Sequence, residues 1–172
     1  MSTPHQRIMI VGCSGSGKST LARKLAEAMN LPLVHLDQLW WREGWQHISK
    51  EEFDALLRAE VEKDQWIIDG NFDRTMDIRL EKCDAVIFLD LPRMVCIMGV
   101  IRRVITSYGR TRPDMGAGCP ERFDLSFLKW VWNFNRDKRE KCIRRIAASG
   151  KPLYHIRSRR ELPALIDTLS HS

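Results

Sequence analysis

Three glycines, a lysine and a serine lie close together between positions 12 and 19, where the chain reads Gly-Cys-Ser-Gly-Ser-Gly-Lys-Ser. This is a complete G-x-x-x-x-G-K-[ST] pattern, in which the backbone N–H groups of a glycine-rich turn surround phosphate groups at the start of a helix. In this pattern Lys18 reaches the β- and γ-phosphates, and the Ser19 hydroxyl is a ligand of Mg²⁺.

The residues on either side of this pattern agree with it. An apolar run at 8–11 predicts a buried strand, and the spacing of Leu21, Leu25, Ala28 and Met29 predicts a helix over 18–29. This framing disfavours the alternative, a glycine-rich turn that binds no nucleotide. We therefore expect ATP and Mg²⁺ as cofactors, with the nucleotide held by Gly12, Cys13, Ser14, Gly15, Ser16, Gly17, Lys18, Ser19 and Thr20.

Carboxylates follow three further apolar runs, at 31–37, 66–69 and 85–90, as Asp37, Asp69 and Asp90. We expect Asp69 to serve Mg²⁺ beside Ser19, with Asp90 as the alternative. Asp37 is the candidate base, which would accept a proton from an acceptor hydroxyl or hold that hydroxyl in place. For each of the three aspartates, capping the next turn is the structural alternative.

Arginines surround a segment rich in glycine and proline, residues 109–124, which we expect to be a lid of the site. The cluster of Arg102, Arg103, Arg110 and Arg112 could close over ATP and stabilise the charge that develops on the transferring phosphoryl group. Arg136 and Arg139 are further candidates; a solvated basic face is the alternative for part of this set.

Aromatic residues follow Asp37 closely, at Trp40, Trp41 and Trp45. An indole can stack on the base or sugar of an acceptor, and we take Trp41 as a candidate acceptor ligand. Packing in the core is the alternative for all three tryptophans.

Length and composition suit one domain over residues 1–172, with 44% hydrophobic residues. The longest apolar runs are far shorter than the 18 or more residues of a membrane span, so we expect no membrane partner. Five widely spaced cysteines without a C-x-x-C pair predict a reduced, cytoplasmic protein. The sequence is silent on oligomeric state.

Charge is distributed unevenly along the chain, whose formal net charge is +6. Residues 1–92 carry 11 Lys/Arg and 15 Asp/Glu, whereas residues 93–160 carry 17 and 5. A basic second half suits a polyanion, either the phosphates of a nucleotide or a nucleic-acid backbone. A solvated basic surface is the alternative.

Strand and helix patterns alternate along the whole chain, which predicts an α/β fold: a parallel sheet with helices on both faces. The predicted strands lie at 8–11, 31–37, 66–69, 85–90 and 153–156. We expect one long helix from the cap Asp124 to Gly150.

Several blocks of this sequence resemble the P-loop kinase superfamily of adenylate, shikimate and gluconate kinases. A closer resemblance is to the bacterial DNA topology modulation proteins, which are FlaR-like. The blocks are the phosphate loop, His35-Leu36-Asp37-Gln38-Leu39-Trp40-Trp41 with Gly44-Trp45, Trp66-Ile67-Ile68-Asp69-Gly70-Asn71-Phe72, Thr111-Arg112-Pro113-Asp114-Met115, and Trp130-Val131-Trp132-Asn133-Phe134.

The resemblance implies a three-layer P-loop fold with five strands in the order 2-3-1-4-5. It also implies that Asp69 lies near Mg²⁺, Arg74 near an acceptor phosphate and Arg102 on the ATP phosphates. Asp37 is similar to the acceptor-site aspartate of shikimate and gluconate kinases. The lid lacks the long β insertion of the larger adenylate kinases.

These observations favour a Mg²⁺-dependent ATP phosphotransferase that acts on a small molecule, either a nucleotide or another hydroxyl compound. The alternatives are an ATP-dependent regulator that affects DNA topology through DNA binding, and a simple ATPase. Nothing in the residues forms a recognised DNA-reading module.

Overall fold

The computed structural model describes residues 5–171 and contains a five-stranded parallel sheet. The seven strands are β1 (Arg7–Gly12), β2 (Leu33–His35), β3 (Trp41–Arg42), β4 (Gln46–His47), β5 (Trp66–Asp69), β6 (Ala85–Leu89) and β7 (Leu153–Ile156). The main sheet has the order β2-β5-β1-β6-β7, while β3 and β4 form a separate antiparallel hairpin. Counted within the main sheet alone, this order is 2-3-1-4-5, so the predicted fold is confirmed.

Eight α-helices surround the sheet within the described part of the chain. They are α1 (Lys18–Met29), α2 (Leu36–Trp40), α3 (Lys50–Val61), α4 (Met76–Lys82), α5 (Arg93–Ser107), α6 (Leu125–Asp137), α7 (Arg139–Ser149) and α8 (Leu162–Ser170). Successive strand residues point to opposite faces, so each buried strand needs cover on both sides. Met9 and Ile68 pack in one core with α3, α4 and α7, whereas Ile8 and Ile10 pack with α1 and α8.

The strand register places the carboxyl ends of the central strands side by side. Ile10 of β1 pairs with Asp69 of β5, and Gly12 pairs with Leu89 of β6. The glycine turn that follows Gly12 therefore begins at the same edge of the sheet where Asp69 ends its strand. This edge is where ligands bind in open parallel sheets.

Two boundaries differ from the sequence prediction. Strand β2 ends at His35, and Asp37 lies in the short helix α2. The predicted single helix from Asp124 to Gly150 is wrong, because Lys138 has φ −122° and ψ −32° and separates α6 from α7. The break lets α6 pack against α5 while α7 packs on the sheet and α4.

The predicted ends of that segment are confirmed. The Asp124 side chain accepts a hydrogen bond from the Phe127 N–H at 3.0 Å, and Gly150 ends α7 with φ 67°. Across residues 5–171 we find no helix that is both long enough and apolar enough to span a membrane. The five cysteines are free thiols.

Candidate active site

The phosphate loop between β1 and α1 is pressed against helix α5. Gly15 and Gly17 have positive φ values of 80° and 102°. A Cβ at Gly15 would lie 2.1 Å from the Cys96 carbonyl oxygen, and one at Gly99 would lie 2.1 Å from the Gly15 carbonyl oxygen. Lys18 donates a 3.0 Å hydrogen bond across the loop to the Cys13 carbonyl oxygen. Packing with α5 thus sets the loop conformation that only glycine tolerates.

Three side chains meet at the edge of the sheet beside this loop. The Ser19 hydroxyl donates to Asp69 Oδ2 at 2.8 Å, and His35 Nδ1 lies 2.9 Å from the same oxygen. The second carboxylate oxygen, Asp69 Oδ1, is buried and has no hydrogen-bond partner. A hydroxyl and a carboxylate with a free oxygen are ligands that suit Mg²⁺. The residues therefore fit the expected cation, which Ser19 and Asp69 would hold.

Asp90, the alternative metal ligand, is engaged elsewhere. Its two carboxylate oxygens each lie 2.6 Å from the Arg139 guanidinium, and Oδ2 lies 2.7 Å from His155 Nε2. Burial opposes ionisation, but the hydrogen bonds from Arg139 and His155 hold the pKa of Asp90 below its usual value. Asp90 does not line the cleft described below. The geometry favours Asp69.

One cleft of about 1130 Å³ is lined by most of the phosphate loop and by two of the three candidate acceptor residues. Asp37 and Trp41 line it, as do Lys18, Ser19 and Asp69. Burial and the nearby charge of Asp69 raise the pKa of Asp37 to about 6, although Lys18 opposes the shift. A carboxyl group with this pKa changes its protonation state close to neutral pH, as a general base should.

The predicted arginines divide into two groups. Arg102 and Arg112 line the cleft, whereas Arg110 and Arg74 do not. Arg74 instead forms a bidentate ion pair with Asp54, at 2.6 and 2.7 Å, at the protein surface. The structure therefore does not bring Arg74 or Arg110 to the predicted site.

The lid (residues 109–124) contacts the tryptophan hairpin (residues 41–47) directly. The Trp45 indole N–H donates to the Pro120 carbonyl oxygen at 3.2 Å, and the Gly44 N–H donates to the Gly118 carbonyl oxygen at 3.0 Å. A Cβ at Gly116 would lie 2.3 Å from the Trp41 carbonyl oxygen. The lid and the hairpin together form one wall of the cleft.

Cys13 lies inside the phosphate loop but its thiol faces the core. It is 2% exposed, and its Sγ lies 3.7 Å from the Val131 carbonyl oxygen. The neighbouring Cys96 thiol and burial raise the pKa of Cys13 well above its usual range. Its contribution to a nucleotide site would come from the backbone.

Sequence reasoning missed three residues that position this site. His35 contacts Asp69 because β2 pairs with β5 in a register that sets these two residues side by side. The Asn71 side chain accepts a 3.1 Å hydrogen bond from the Gly12 N–H. Arg79, which is fully buried, donates to the backbone carbonyl oxygens of residues 70–72. His35 and Asn71 belong to blocks that carry the resemblance, but Arg79 has no signal in the sequence beyond its helix position.

Comparisons with known proteins bear on this geometry. No family model matches the chain. Over 135 residues the chain is 30% identical to a shikimate kinase of Corynebacterium glutamicum, an alignment that covers 71% of this chain and 76% of the relative. The chain belongs to the P-loop kinase family that includes shikimate kinase.

A solved structure agrees with this membership at the level of the fold. It is a crystal structure of a candidate kinase from Chloroflexus aurantiacus j-10-fl, with a TM-score of 0.57 and 18% sequence identity. The match covers 95% of this chain and 96% of that one. This P-loop kinase family member thus shares its fold with a solved structure over nearly its whole length.

Proposed function

We propose that this protein transfers the γ-phosphoryl group of ATP to a hydroxyl group of a small molecule, with Mg²⁺ as cofactor. The observation that carries the proposal is that Asp37 shares one cleft with the phosphate loop and with the Ser19–Asp69 pair. A donor site and a candidate base for an acceptor therefore face the same space. Membership in a kinase family supports the same reaction class.

On the donor side, the loop from Gly12 to Thr20 holds the phosphates through its N–H groups, and Lys18 turns from the Cys13 carbonyl oxygen to the β- and γ-phosphates. Ser19 and Asp69 would hold Mg²⁺, which would offset the negative charge of the phosphates. Arg102 also lines the cleft, and from there it supplies positive charge to the nucleotide or to the transferring group.

On the acceptor side, Asp37 receives the proton of the acceptor hydroxyl. The hydroxyl oxygen forms a bond to the γ-phosphorus, the bond from that phosphorus to the β–γ bridging oxygen breaks, and ADP leaves with the electron pair. The raised pKa of Asp37 makes its carboxylate a better proton acceptor than an ordinary aspartate.

Action on DNA, the alternative suggested by the basic second half, receives no support from the comparisons. Many of those basic residues pair with carboxylates, several of them in the acidic first half: Arg139 with Asp90, Lys141 with Asp73, and Arg145 with Asp73 and Asp77. These pairs reduce the positive charge that is free to bind a polyanion. The narrower resemblance to DNA topology modulation proteins stays a prediction.

The test is ADP release by the purified full chain with ATP and Mg²⁺, in the presence of nucleosides, nucleotides, sugars, sugar acids and shikimate in turn. We expect at least one compound to raise ADP release above the rate without acceptor. Lys18→Ala should lower that rate on the order of 10²–10³-fold, as does the loss of one donor to a transition-state oxyanion. Arg144→Ala, on the exposed face of α7, is the matched control.

Two results would contradict the proposal. One is that no compound raises ADP release above the rate without acceptor, which would leave a simple ATPase as the better description. The other is that Lys18→Ala and Arg144→Ala release ADP equally fast.

A further inference from the structure

The arginines on the acceptor side of the cleft are already neutralised. The acceptor side is the part lined by Asp37, the tryptophan hairpin and the lid. There the Arg112 guanidinium lies 2.7 Å from Asp114 and 2.9 Å from Glu121. Both carboxylate side chains are under 10% exposed, at 7% and 6%, so solvent screens these ion pairs little. Arg112 has little charge left for a ligand.

The other arginines near this side also have carboxylate neighbours. Arg103 lies 2.9 Å from Glu121. Arg122 is held more weakly: it lies over the Trp45 indole, 4.8 Å from the ring centroid, and its 4.0 Å pair with Asp124 is largely exposed to solvent. Arg74 is paired with Asp54 outside the cleft. Among the described residues, no acceptor-side guanidinium is left without a carboxylate neighbour.

The carboxylates on this side are in a different state. The Asp37 carboxylate has no hydrogen-bond or ion-pair partner within the described part of the chain, although the charges of Lys18 and Arg112 act on it. Asp69 Oδ1 is buried without a partner. Four carboxylates line this part of the cleft beside the guanidinium groups of Arg103, Arg112 and Arg122; they are Asp37, Asp114, Glu121 and Asp124. Because Arg103 and Arg112 already face carboxylates, a carboxylate or phosphate on the acceptor would find no buried guanidinium free to pair with it and would lie beside the unpaired Asp37 carboxylate, which disfavours binding.

Flat aromatic surfaces line the same space. Five aromatic residues line the cleft, namely Trp41, Trp45, Phe72, Phe127 and Trp130. Trp41 and Trp45 meet edge to face, with centroids 5.5 Å apart. Aromatic faces bind the flat faces of bases and sugars without any need for ligand charge.

We propose that the acceptor is an uncharged hydroxyl compound with a flat face, a nucleoside or a sugar, and that acceptors with a carboxylate or phosphate group are rejected. This inference rests on the proposed function. A site in which an unpaired arginine binds the carboxylate of the acceptor would have the opposite preference. The neutralised Arg112 and the unpaired Asp37 are the observations that carry it.

The experiment compares acceptors in matched pairs that differ only in the anionic group. The pairs are a nucleoside and its 5′-monophosphate, glucose and gluconate, and the methyl ester of shikimate and shikimate. Dissociation constants come from the tryptophan fluorescence of the purified full chain, since Trp41 and Trp45 line the cleft, with ADP and Mg²⁺ present. We expect the neutral member of at least one pair to bind about tenfold more tightly, which is a difference of about 1.4 kcal/mol.

A variant tests the physical cause. Glu121→Gln frees Arg103 from its carboxylate partner and leaves Arg112 with Asp114 alone, so it should raise the affinity for the anionic members and narrow the ratio of affinities within each pair. Arg144→Ala, on the exposed face of α7, should leave every ratio unchanged. Thermal unfolding of each variant shows whether it is folded.

The outcomes are distinct from those of the kinase test. Tighter binding or faster ADP release with the anionic member of each pair would overturn this inference and leave the proposed kinase function standing. Failure of every neutral compound to bind at millimolar concentration would overturn it as well. Selective binding of the neutral nucleoside or of the neutral sugar would support the inference and would show which of these two classes of compound the site accepts, even if no ADP were released.

Discussion

The buried guanidinium of Arg79 donates a 2.7 Å hydrogen bond to the backbone carbonyl oxygen of Gly70, the residue that follows Asp69. The same side chain donates to the carbonyl oxygens of Asn71 and Phe72. Phe72 has a φ of 32°, which a non-glycine residue seldom adopts. One arginine thus holds the turn that leads out of the candidate metal site.

Replacing Arg79 should therefore weaken both folding and nucleotide binding. Arg79→Met leaves three carbonyl oxygens without their donor, and we expect a loss of about 2–4 kcal/mol in the free energy of unfolding. Arg79→Lys should restore only part of it, because one ammonium group cannot replace the planar fork of a guanidinium. Urea unfolding and ATP titration measure the two effects. An unchanged midpoint in Arg79→Met would contradict this role.

The activity should rise with pH around the pKa of Asp37. This pKa is raised to about 6, and only the ionised carboxylate accepts a proton. We expect kcat to increase through about pH 6 and to level off above it. Asp37→Asn should lower kcat on the order of 10²–10⁴-fold and remove this limb of the profile. A wild-type profile that is flat between about pH 5 and 7, on either side of this pKa, would contradict the assignment of Asp37 as the base.

The stability of the fold should fall, rather than rise, as Asp37 ionises with increasing pH. Because the pKa is higher in the folded state than its ordinary value of 3.8, the folded state binds more protons than the unfolded state between about pH 4 and 6. This group therefore lowers stability as pH rises through that window. At pH 7 Asp37→Asn should be about 1–3 kcal/mol more stable than the wild type. Thermal or urea unfolding checks it, and a less stable variant would count against burial as the cause.

Asp69 and Asp90 should respond differently to the same substitution. Asp69→Asn should raise the Mg²⁺ concentration needed for half-maximal activity, because it removes charge beside Ser19. Asp90→Asn should leave that concentration unchanged but weaken the ion pair with Arg139, at a cost of about 1–3 kcal/mol in unfolding free energy. Mg²⁺ titration and urea unfolding of both variants separate the roles. A large shift in the Mg²⁺ requirement of Asp90→Asn would restore it as a metal ligand.

A methyl group at Gly116 should disturb the contact between the lid and the tryptophan hairpin. The added Cβ would lie 2.3 Å from the Trp41 carbonyl oxygen, so the two segments must move apart. Gly116→Ala should raise KM for the acceptor more than KM for ATP. Ala117→Ser, at the exposed neighbouring position, is the control. Equal KM values for the acceptor in both variants would show that this contact does not shape the acceptor site.

Local sequence patterns were enough to predict the strands of the main sheet and the α/β class of the fold. The apolar runs and helix periodicities place all five strands of the main sheet, and the resemblance supplies the order 2-3-1-4-5 that the structure shows. The break at Lys138 was missed because the residues on both sides of it favour a helix. Only the different packing partners of α6 and α7 separate the two helices.

The phosphate loop and the strand-end carboxylates beside it follow from sequence alone, because the carboxyl ends of parallel strands meet at one sheet edge. The sequence left Asp69 and Asp90 as alternatives, and the structure favours Asp69 because Asp90 is engaged by Arg139 and His155. Which arginines face the cleft was decided only by the tertiary structure. A guanidinium on a long side chain pairs with whichever carboxylate folding brings near it. Arg74 is thereby bound to Asp54, Arg112 to Asp114 and Glu121, and Asp37 is left unpaired in the cleft.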